Sequence, residues 1–304
     1  MGTRDLAAAG IDGGELRASY ERCRQLNAAH GKTYYLATLL LPRWKRPYVH
    51  ALYGFARYAD DIVDDLSSTA TVDEKRTALR TFGEDFLRDL ARGRSDDPVC
   101  RAVVDTVARW DIKREHFVAF LHSMEMDLSI TSYETYEDLY EYVYGSAAVI
   151  GLQMVPILEP LNDSAYPAAT DLGVAFQLAN FIRDVGEDLE RGRVYLPEED
   201  MGLFGVTRAD LERRVVTPEI RQLLAYEIDR VRRLENQSRP GIEALAPSSR
   251  PCIDAARVLY CGIVDAVESI DYQVFDRRAT VSLRRRLAVA GPAYFRARHL
   301  ARHT

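Results

Sequence analysis

The 304-residue sequence has few of the residues that mark a disulfide scaffold, a linker or a repeat. Its four cysteines, Cys23, Cys100, Cys252 and Cys261, have neither Cys-x-x-Cys spacing nor the density of a disulfide-stabilised fold. This predicts a reducing, cytoplasmic environment and no sulfur-bound metal. The 12 prolines form no Pro/Gly/Ser-rich linker. We therefore expect one domain over residues 1–304, with residues 1–14 flexible and a basic tail from residue 277.

Long apolar runs are also missing. The longest one, Ala147 to Leu158, is interrupted by Gln153 and Pro156 and is too short to cross a bilayer. The first residues of the chain are small and polar, unlike the apolar core of a secretory signal. The sequence therefore predicts a cytoplasmic protein.

Acidic residues are absent from the end of the chain. The formal net charge is −6, yet no Asp or Glu follows Asp276, whereas eight arginines lie between Arg277 and Arg302. The overall acidity argues against a nucleic-acid partner. The basic tail favours anionic partners, either phosphate groups or a membrane surface. Because apolar side chains alternate with these arginines, we expect a stretch that rests reversibly on the inner face of the membrane.

Strand-type alternation of apolar and polar residues is nearly absent, and apolar residues recur instead at helical spacing. Leu79, Phe82, Phe86 and Leu90 are typical of one helix face. We therefore predict an all-α fold in which the helices surround a central space, since the chain is too long for a four-helix bundle. The predicted helices lie near residues 15–29, 32–41, 46–66, 73–92, 97–109, 113–129, 136–158, 165–189, 207–214, 218–245, 250–274 and 280–301.

The first of two acidic helix faces lies in the segment RYADDIVDD, residues 57–65. Its four carboxylates belong to Asp60, Asp61, Asp64 and Asp65. Asp60 and Asp64 share one face with Tyr53 and Arg57. Like charges one turn apart repel by about 0.2–0.5 kcal/mol per pair, which a cation among them relieves. Since Mg²⁺ prefers carboxylate oxygens, waters and substrate phosphates, the pattern indicates a magnesium site.

The second acidic face repeats the arrangement in QLANFIRDVGED, residues 177–188. Asn180, Asp184 and Asp188 recur every four residues, and Gln177 joins their stripe. Apolar residues such as Phe181 border it, as in a cavity wall that holds charged groups at one end and hydrocarbon below. Each acidic face also carries an arginine, Arg57 or Arg183. Together the two faces predict a site for diphosphates and several Mg²⁺ ions.

At these residues the chain resembles the squalene/phytoene synthase family, closest to its bacterial phytoene synthases. The resemblance extends over nearly the whole chain. It is carried by HGKTYYLATLLLP (30–42), LYGFARYADDIVDD (52–65), EYVYGSAAVIGLQMVPIL (141–158), QLANFIRDVGEDLERGRVYLP (177–197) and LYCGIVDAVESIDYQVFDRRATVS (259–282). One departure is the run YGSAAVIG, which replaces an Ala-Gly-Thr-Val-Gly-like run and bears on the depth of the cavity.

The resemblance implies a single-domain, all-α isoprenoid (prenyl) synthase fold with a central cavity. It implies a prenyltransferase that condenses two molecules of geranylgeranyl diphosphate head to head, through a cyclopropylcarbinyl diphosphate, to phytoene. This reaction is the first committed step of carotenoid biosynthesis. The implied cofactor is Mg²⁺, with Mn²⁺ as a substitute, and no NADPH is expected. The proton acceptor stays open between released diphosphate and a tyrosine hydroxyl.

The resemblance also implies roles for individual residues. The metal ligands are Asp60, Asp64, Asn180, Asp184 and Asp188. The catalytic set is Arg57, Asp60, Asp64, Tyr142, Asp184 and Asp188. The substrate-binding set is His30, Lys32, Tyr34, Tyr53, Arg57, Gln177, Asn180, Arg183, Tyr195, Tyr260 and Arg277. Without the resemblance, the tyrosines are equally interpretable as core residues with satisfied hydroxyls.

Three alternatives remain at this stage. A squalene or dehydrosqualene synthase acting on farnesyl diphosphate would share every acidic residue named. A head-to-tail prenyltransferase or terpene cyclase fits the first acidic face but not Asp184 and Asp188 in the second. A catalytically inactive helical scaffold would be expected to lose metal ligands, and this chain keeps all five.

Overall fold

Helices account for nearly all the regular structure of this chain. The computed structural model describes residues 2–64 and 70–300, apart from the side chains of residues 2, 32, 33 and 64. These residues form fifteen α-helices and no β-strand. The helices are α1 (Gly2–Ala8), α2 (Gly14–His30), α3 (Lys32–Thr38), α4 (Arg46–Asp64), α5 (Val72–Arg92), α6 (Pro98–Trp110), α7 (Arg114–Met126), α8 (Tyr136–Val143), α9 (Val149–Ile157), α10 (Ala165–Glu190), α11 (Glu198–Leu203), α12 (Arg208–Glu212), α13 (Pro218–Glu243), α14 (Arg250–Ser269) and α15 (Leu283–Leu300).

Local sequence determines several helix ends. Thr71 and Glu74 form a capping box at the start of α5, each side chain accepting a hydrogen bond from the other's backbone amide. Asp97 caps α6 by accepting hydrogen bonds at 2.8 Å from the amides of Val99 and Cys100. These two helices occupy residues 72–92 and 98–110, close to the predicted 73–92 and 97–109.

The predicted helix over residues 136–158 is interrupted by a π-helical turn, Tyr144–Ala148. At Gly145 an added Cβ would lie 2.1 Å from Ser123 Oγ and 2.2 Å from the Ala119 carbonyl oxygen. Only glycine therefore allows α7 to approach this closely. Ser123 Oγ donates a hydrogen bond of 2.9 Å to the Tyr142 carbonyl. The wider turn thus depends on a contact from another helix, which apolar periodicity does not reveal.

The N-terminal segment, predicted to be flexible, contains the helix α1, which the sequence prediction missed. Leu6 and Ile11 are buried in the core. Asp5 is also buried and lies 3.5 Å from the Arg46 guanidinium and 3.9 Å from that of Arg43. The short helix α11 was missed as well. Both helices are held by residues far away in the sequence, and a local apolar pattern does not reveal such contacts.

The helices that carry the acidic faces, α4 and α10, surround one space together with their neighbours. Helix α10 packs against α9, α13 and α14, and α2 packs against α4 and α6. Along α10 the apolar residues Ala165 and Ala168 come first and Asp184 and Asp188 come last. Along α4, Val49 comes first and the aspartates last. Tyr260 lies near both Arg183 of α10 and Tyr53 of α4, and Tyr53 lies near Arg57 and Asp60, so the two acidic faces lie at one end of the space. The loops 39–45, 158–164 and 244–249 lie at the other end, where Lys45 contacts Glu159 and Ser249.

A buried lysine joins the three loops at the closed end. The Lys45 side chain is 0% exposed, and its Nζ donates to Ser249 Oγ at 2.8 Å and lies 2.5 Å from Glu159 Oε2. Burial lowers the pKa of Lys45, and the contact with Glu159 opposes that shift. An isolated buried ammonium is costly, so the lysine requires these partners.

We predict that Lys45→Ala lowers the free energy of unfolding by about 3 kcal/mol, because the three loops lose their common partner and buried contacts. Urea denaturation measures the change. Lys113→Ala is the matched control, since Lys113 pairs with Glu115 at 3.6 Å on the exposed surface. It should change the free energy of unfolding by less than about 0.5 kcal/mol. Equal effects of the two substitutions would contradict the assigned role of Lys45.

Candidate active site

An apolar cavity of about 270 Å³ occupies the centre of the helix assembly. Its wall comes from α3, α4, α9, α10, α13, α14 and the loop after α3, and includes Leu41, Val49, Ile150, Leu172 and Ile242. No charged side chain lines it among the described residues. A wall of this composition suits a hydrocarbon chain rather than a polar ligand.

Small residues let the wall helices approach each other while leaving the space open. An added Cβ at Gly151 would lie 2.6 Å from the Ala169 carbonyl oxygen, and one at Gly241 would lie 2.0 Å from Ala168 Cβ. Gly173 of α10 similarly faces the π-helical turn, with the Ala147 carbonyl oxygen 2.7 Å from an added Cβ. The unusual run YGSAAVIG is therefore part of the cavity wall.

Three of the predicted site residues, Tyr34, Gln177 and Tyr260, line the cavity. The Tyr34 ring packs against the Tyr53 ring at 5.6 Å, and the Tyr260 ring stacks on Phe176 at 4.8 Å. Burial is the main cause that raises the pKa of both cavity hydroxyls, and the nearby Arg183 opposes the shift at Tyr260. The rings therefore form the border between the apolar cavity and the charged residues.

The first acidic face lies beyond this border on α4. Arg57 donates a short hydrogen bond to Asp61, and its Nε is buried without a hydrogen-bond partner among the described residues. Asp60 is partly buried on the same helix. The predicted ligand Asp64 ends α4, but its side chain lies outside the described part of the chain, as does Asp65.

The second acidic face lies at the same end of the cavity on α10. Arg183 donates two hydrogen bonds to Asp184, at 2.7 and 2.5 Å, and Arg278 donates a third at 3.0 Å. Asn180 and Asp188 are partly buried. The family resemblance implies Arg277 as a substrate-binding residue; here Arg277 is exposed and donates to the Ile270 carbonyl at 3.3 Å. Its neighbour Arg278 is the residue that reaches Asp184.

The carboxylates on α10 indicate whether a cation fits beside this helix. Burial and the neighbouring Asp184 raise the pKa of Asp188 to about 7, although Arg191 and Arg193 lower it. A carboxylate whose charged form is disfavoured in this way suits a bound cation. Asp188, Asp184 and Asn180 supply the oxygen donors that Mg²⁺ prefers. Among the residues whose side chains are described, however, no three acidic, histidine or cysteine groups already form a ready metal cluster.

Two predicted site residues, Tyr142 and Tyr195, are buried beside this face and do not line the cavity. Tyr195 stacks on Phe181 of α10 with ring centroids 4.0 Å apart, and Tyr142 stacks on Tyr195 at 5.7 Å. The Tyr195 hydroxyl donates to Asp127 at 3.0 Å. Sequence reasoning missed Asp127, because its partners lie more than 60 residues further along the chain.

The remaining predicted residues, His30 and Lys32, lie on either side of the junction between α2 and α3. His30 is exposed at the end of α2, and the side chain of Lys32 lies outside the described part of the chain. Between them, Gly31 lies against the Tyr53 ring, whose nearest atoms would be 2.7 Å from an added Cβ. This glycine allows the α2–α3 junction to approach the site.

Comparisons with known proteins agree with this architecture. The squalene/phytoene synthase family model matches residues 27–285. A 15-cis-phytoene synthase of Synechococcus elongatus is 35% identical over 294 residues, which cover 93% of this chain and 94% of that protein. A phytoene synthase of Arthrospira platensis is 36% identical over 297 residues, with coverage of 93% and 94%.

Solved structures show the same fold. A dehydrosqualene synthase in complex with a ligand superposes with a TM-score of 0.84 and 27% identity, over 94% of this chain and 98% of that one. A squalene synthase of Alicyclobacillus acidocaldarius has a TM-score of 0.80 and 29% identity, over 87% and 98%. The chain therefore belongs to the squalene/phytoene synthase family. The comparisons confirm the predicted family, the all-α isoprenoid synthase fold and the predicted enzyme class, a prenyltransferase of the phytoene synthase type.

Proposed function

We propose that this protein joins two molecules of geranylgeranyl diphosphate head to head, through a cyclopropylcarbinyl diphosphate, to give phytoene for carotenoid biosynthesis. The observation that carries the proposal is the apolar cavity with Gln177 and Tyr260 at its border and two charged helix faces beyond them. An amphiphile with an anionic head and a long apolar tail complements this arrangement. The phytoene synthase names of the relatives support the same substrate class.

Mg²⁺ is the proposed cofactor, with Mn²⁺ as a substitute, and Asp60, Asp64, Asn180, Asp184 and Asp188 are its proposed ligands. When bound, it supplies charge neutralisation to the diphosphate. The arginines on the two faces contribute the same kind of stabilisation from the chain itself. Arg183 and Arg278, which now hold Asp184, present guanidinium donors to phosphate oxygens as well.

The cavity residues perform the rest of the chemistry by excluding water from the cationic species formed after the diphosphate departs. The rings of Tyr53 and Tyr260 present π-faces that stabilise positive charge. Burial raises the pKa of Tyr34, Tyr142 and Tyr260 above the ordinary tyrosine value, so these hydroxyls stay protonated and are poor proton acceptors. This favours released diphosphate as the acceptor of the proton.

A second candidate is a squalene or dehydrosqualene synthase that uses farnesyl diphosphate. The structural likeness to enzymes of these two kinds favours it. The acidic faces and arginines serve either substrate equally. The two candidates differ in the length of hydrocarbon that the cavity accepts, and the higher sequence identity to phytoene synthases favours the longer chain.

We predict that geranylgeranyl diphosphate is consumed in preference to farnesyl diphosphate and that NADPH leaves the product unchanged. Both substrates are supplied at equal concentration with Mg²⁺, and the extracted hydrocarbons are separated by chain length. A mainly C40 product is expected. A mainly C30 product would assign the protein to the second candidate, and no hydrocarbon from either substrate would contradict both.

We also predict that Asp60→Ala and Asp184→Ala each lower turnover by more than about 100-fold, because each removes a proposed metal ligand. Thermal melting should show that both variants remain folded. Glu190→Gln is the control for Asp184, since Glu190 is an exposed acid of the same helix that pairs at 3.2 Å with Arg214 and is not a predicted site residue. It should keep turnover within about 2-fold of wild type. Near-normal turnover by either alanine variant at saturating Mg²⁺ would remove that aspartate from the site.

We further propose that the protein contacts the inner face of the membrane reversibly. Within the described ranges, no helix is long and apolar enough to span a bilayer. Helix α15 instead exposes an apolar stripe that includes Leu283, Leu287 and Tyr294, while Ala293 on another face is buried in the core. Phe295 is the most exposed of these side chains, at 73%. Arginines flank the stripe, which suits an anionic lipid surface.

We predict that the protein sediments with anionic vesicles and that binding weakens with salt, since each basic residue near the surface adds about 1 kcal/mol. Leu287→Glu/Phe295→Glu should reduce the bound fraction at least about 10-fold, because two apolar anchors are lost. Leu203→Glu is the control, because Leu203 is 69% exposed on α11. Binding that ignores salt, lipid charge and the double substitution would reject contact through α15.

A further inference from the structure

Asp127, which follows the last residue of α7, links that helix to the segment that follows α10. Its side chain is only 9% exposed. Its carboxylate accepts a hydrogen bond from the Tyr195 hydroxyl at 3.0 Å and another from the Arg193 guanidinium at 3.3 Å. Its backbone carbonyl accepts a further hydrogen bond of 2.8 Å from Arg193. One residue therefore holds two side chains of this segment.

Both partners of Asp127 lie next to Asp188. The Arg193 amide donates a hydrogen bond of 2.9 Å to the Asp188 carbonyl oxygen. Asp188, Arg193 and Tyr195 line the same small void. Arg193 thus lies beside Asp188 while its guanidinium contacts the Asp127 carboxylate. A guanidinium forms its strongest hydrogen bonds with a carboxylate, so the two acids compete for it.

The surrounding contacts keep this arrangement in place. The Val194 amide donates to the Thr131 carbonyl at 2.8 Å, which fixes the segment to the chain that follows α7. The Tyr195 ring lies parallel to that of Phe181, with an angle of 5° between the planes. The backbone and the ring are both held, and the Arg193 guanidinium is oriented by the carboxylate and carbonyl of Asp127 and by the Tyr195 hydroxyl, to which it donates at 3.4 Å.

We infer that Asp127 is a positioning residue for the metal site: by binding Arg193 and Tyr195, it keeps the guanidinium from pairing with Asp188 and leaves that carboxylate to the cation. The inference rests on the proposed function, in which Asp188 is a metal ligand. Removing a group that orients a metal ligand typically lowers the metal affinity about 10–100-fold.

The test measures metal binding without turnover. Full-length protein is melted with inorganic pyrophosphate at increasing Mg²⁺ concentration, and the Mg²⁺ concentration giving half of the thermal shift is recorded. Asp127→Asn should raise this concentration about 10-fold, because Arg193 is freed to pair with Asp188. Product assays across the same Mg²⁺ range should show turnover recovering at high Mg²⁺.

Asp200→Asn is the matched control. Asp200 is also a buried aspartate, it pairs with Arg230 at 2.8 Å, and neither residue belongs to the predicted site. This variant should melt at a lower temperature than wild type with an unchanged Mg²⁺ requirement. It therefore measures what the loss of a buried charge pair does to stability alone.

A double variant, Asp127→Asn/Arg193→Gln, tests whether the effect passes through Arg193. With no guanidinium to compete for Asp188, its Mg²⁺ requirement should return to within about 3-fold of wild type. It removes both charges of the pair, so it can be compared with wild type directly where Asp127→Asn is too unstable to purify. A double variant that needs about 10-fold more Mg²⁺ than wild type would overturn the inference.

Two other outcomes are also decisive. If Asp127→Asn melts at a lower temperature but keeps the wild-type Mg²⁺ requirement, Asp127 is structural only, and the proposed function is untouched. If wild-type protein shows no Mg²⁺-dependent shift with pyrophosphate, the proposed metal site itself fails, and the inference fails with it.

Discussion

The arrangement of this protein depends on one constraint: carboxylates and arginines must be held together at the edge of an apolar cavity. Carboxylates that are partly buried next to one another are costly, as the raised pKa of Asp188 indicates. The chain meets that cost with arginines, two of which hold Asp184. A diphosphate with its cations would satisfy both sets of charges at once. Repulsion between the carboxylates therefore indicates which ligand would stabilise the site, namely a diphosphate with its cations.

The cavity and the loops that close it depend on how polar and apolar residues are distributed along the helices. Helices α4 and α10 carry apolar residues such as Val49 and Ala165 near their first turns and acids near their last turns. Packing them around one space therefore gives an apolar interior with a charged rim. The far end is closed by loops, and Lys45 joins them through Ser249 and Glu159. A buried charge at that end is acceptable because Lys45 does not line the cavity and its ammonium has these two partners.

Much of this arrangement could be predicted from the sequence, because it depends on local patterns. Four-residue spacing placed Asn180, Asp184 and Asp188 on one stripe, and capping residues located the ends of α5 and α6. The family and fold followed from the motifs and are confirmed. The roles assigned to individual residues, the cofactor and the membrane contact remain predictions.

What could not be predicted depends on contacts between distant residues. The π-helical turn requires Ser123 of another helix, and α1 is held by the ion pair between Asp5 and Arg46. The choice of Arg278 over Arg277 as the partner of Asp184 depends on how the chain turns after α14. Asp127 carries no motif of its own and gains its importance only from Arg193 and Tyr195.

We expect the cavity to hold a prenyl chain while the two acidic faces hold its diphosphate. A crystal structure with Mg²⁺ and a non-reactive thiodiphosphate analogue of geranylgeranyl diphosphate would show both parts of the ligand. Hydrocarbon density is expected along Tyr34, Ile150 and Leu172 of the cavity wall, with cations between the diphosphate and the aspartates of α4 and α10. An analogue bound outside this cavity, or a diphosphate that contacts neither acidic face, would contradict this expectation.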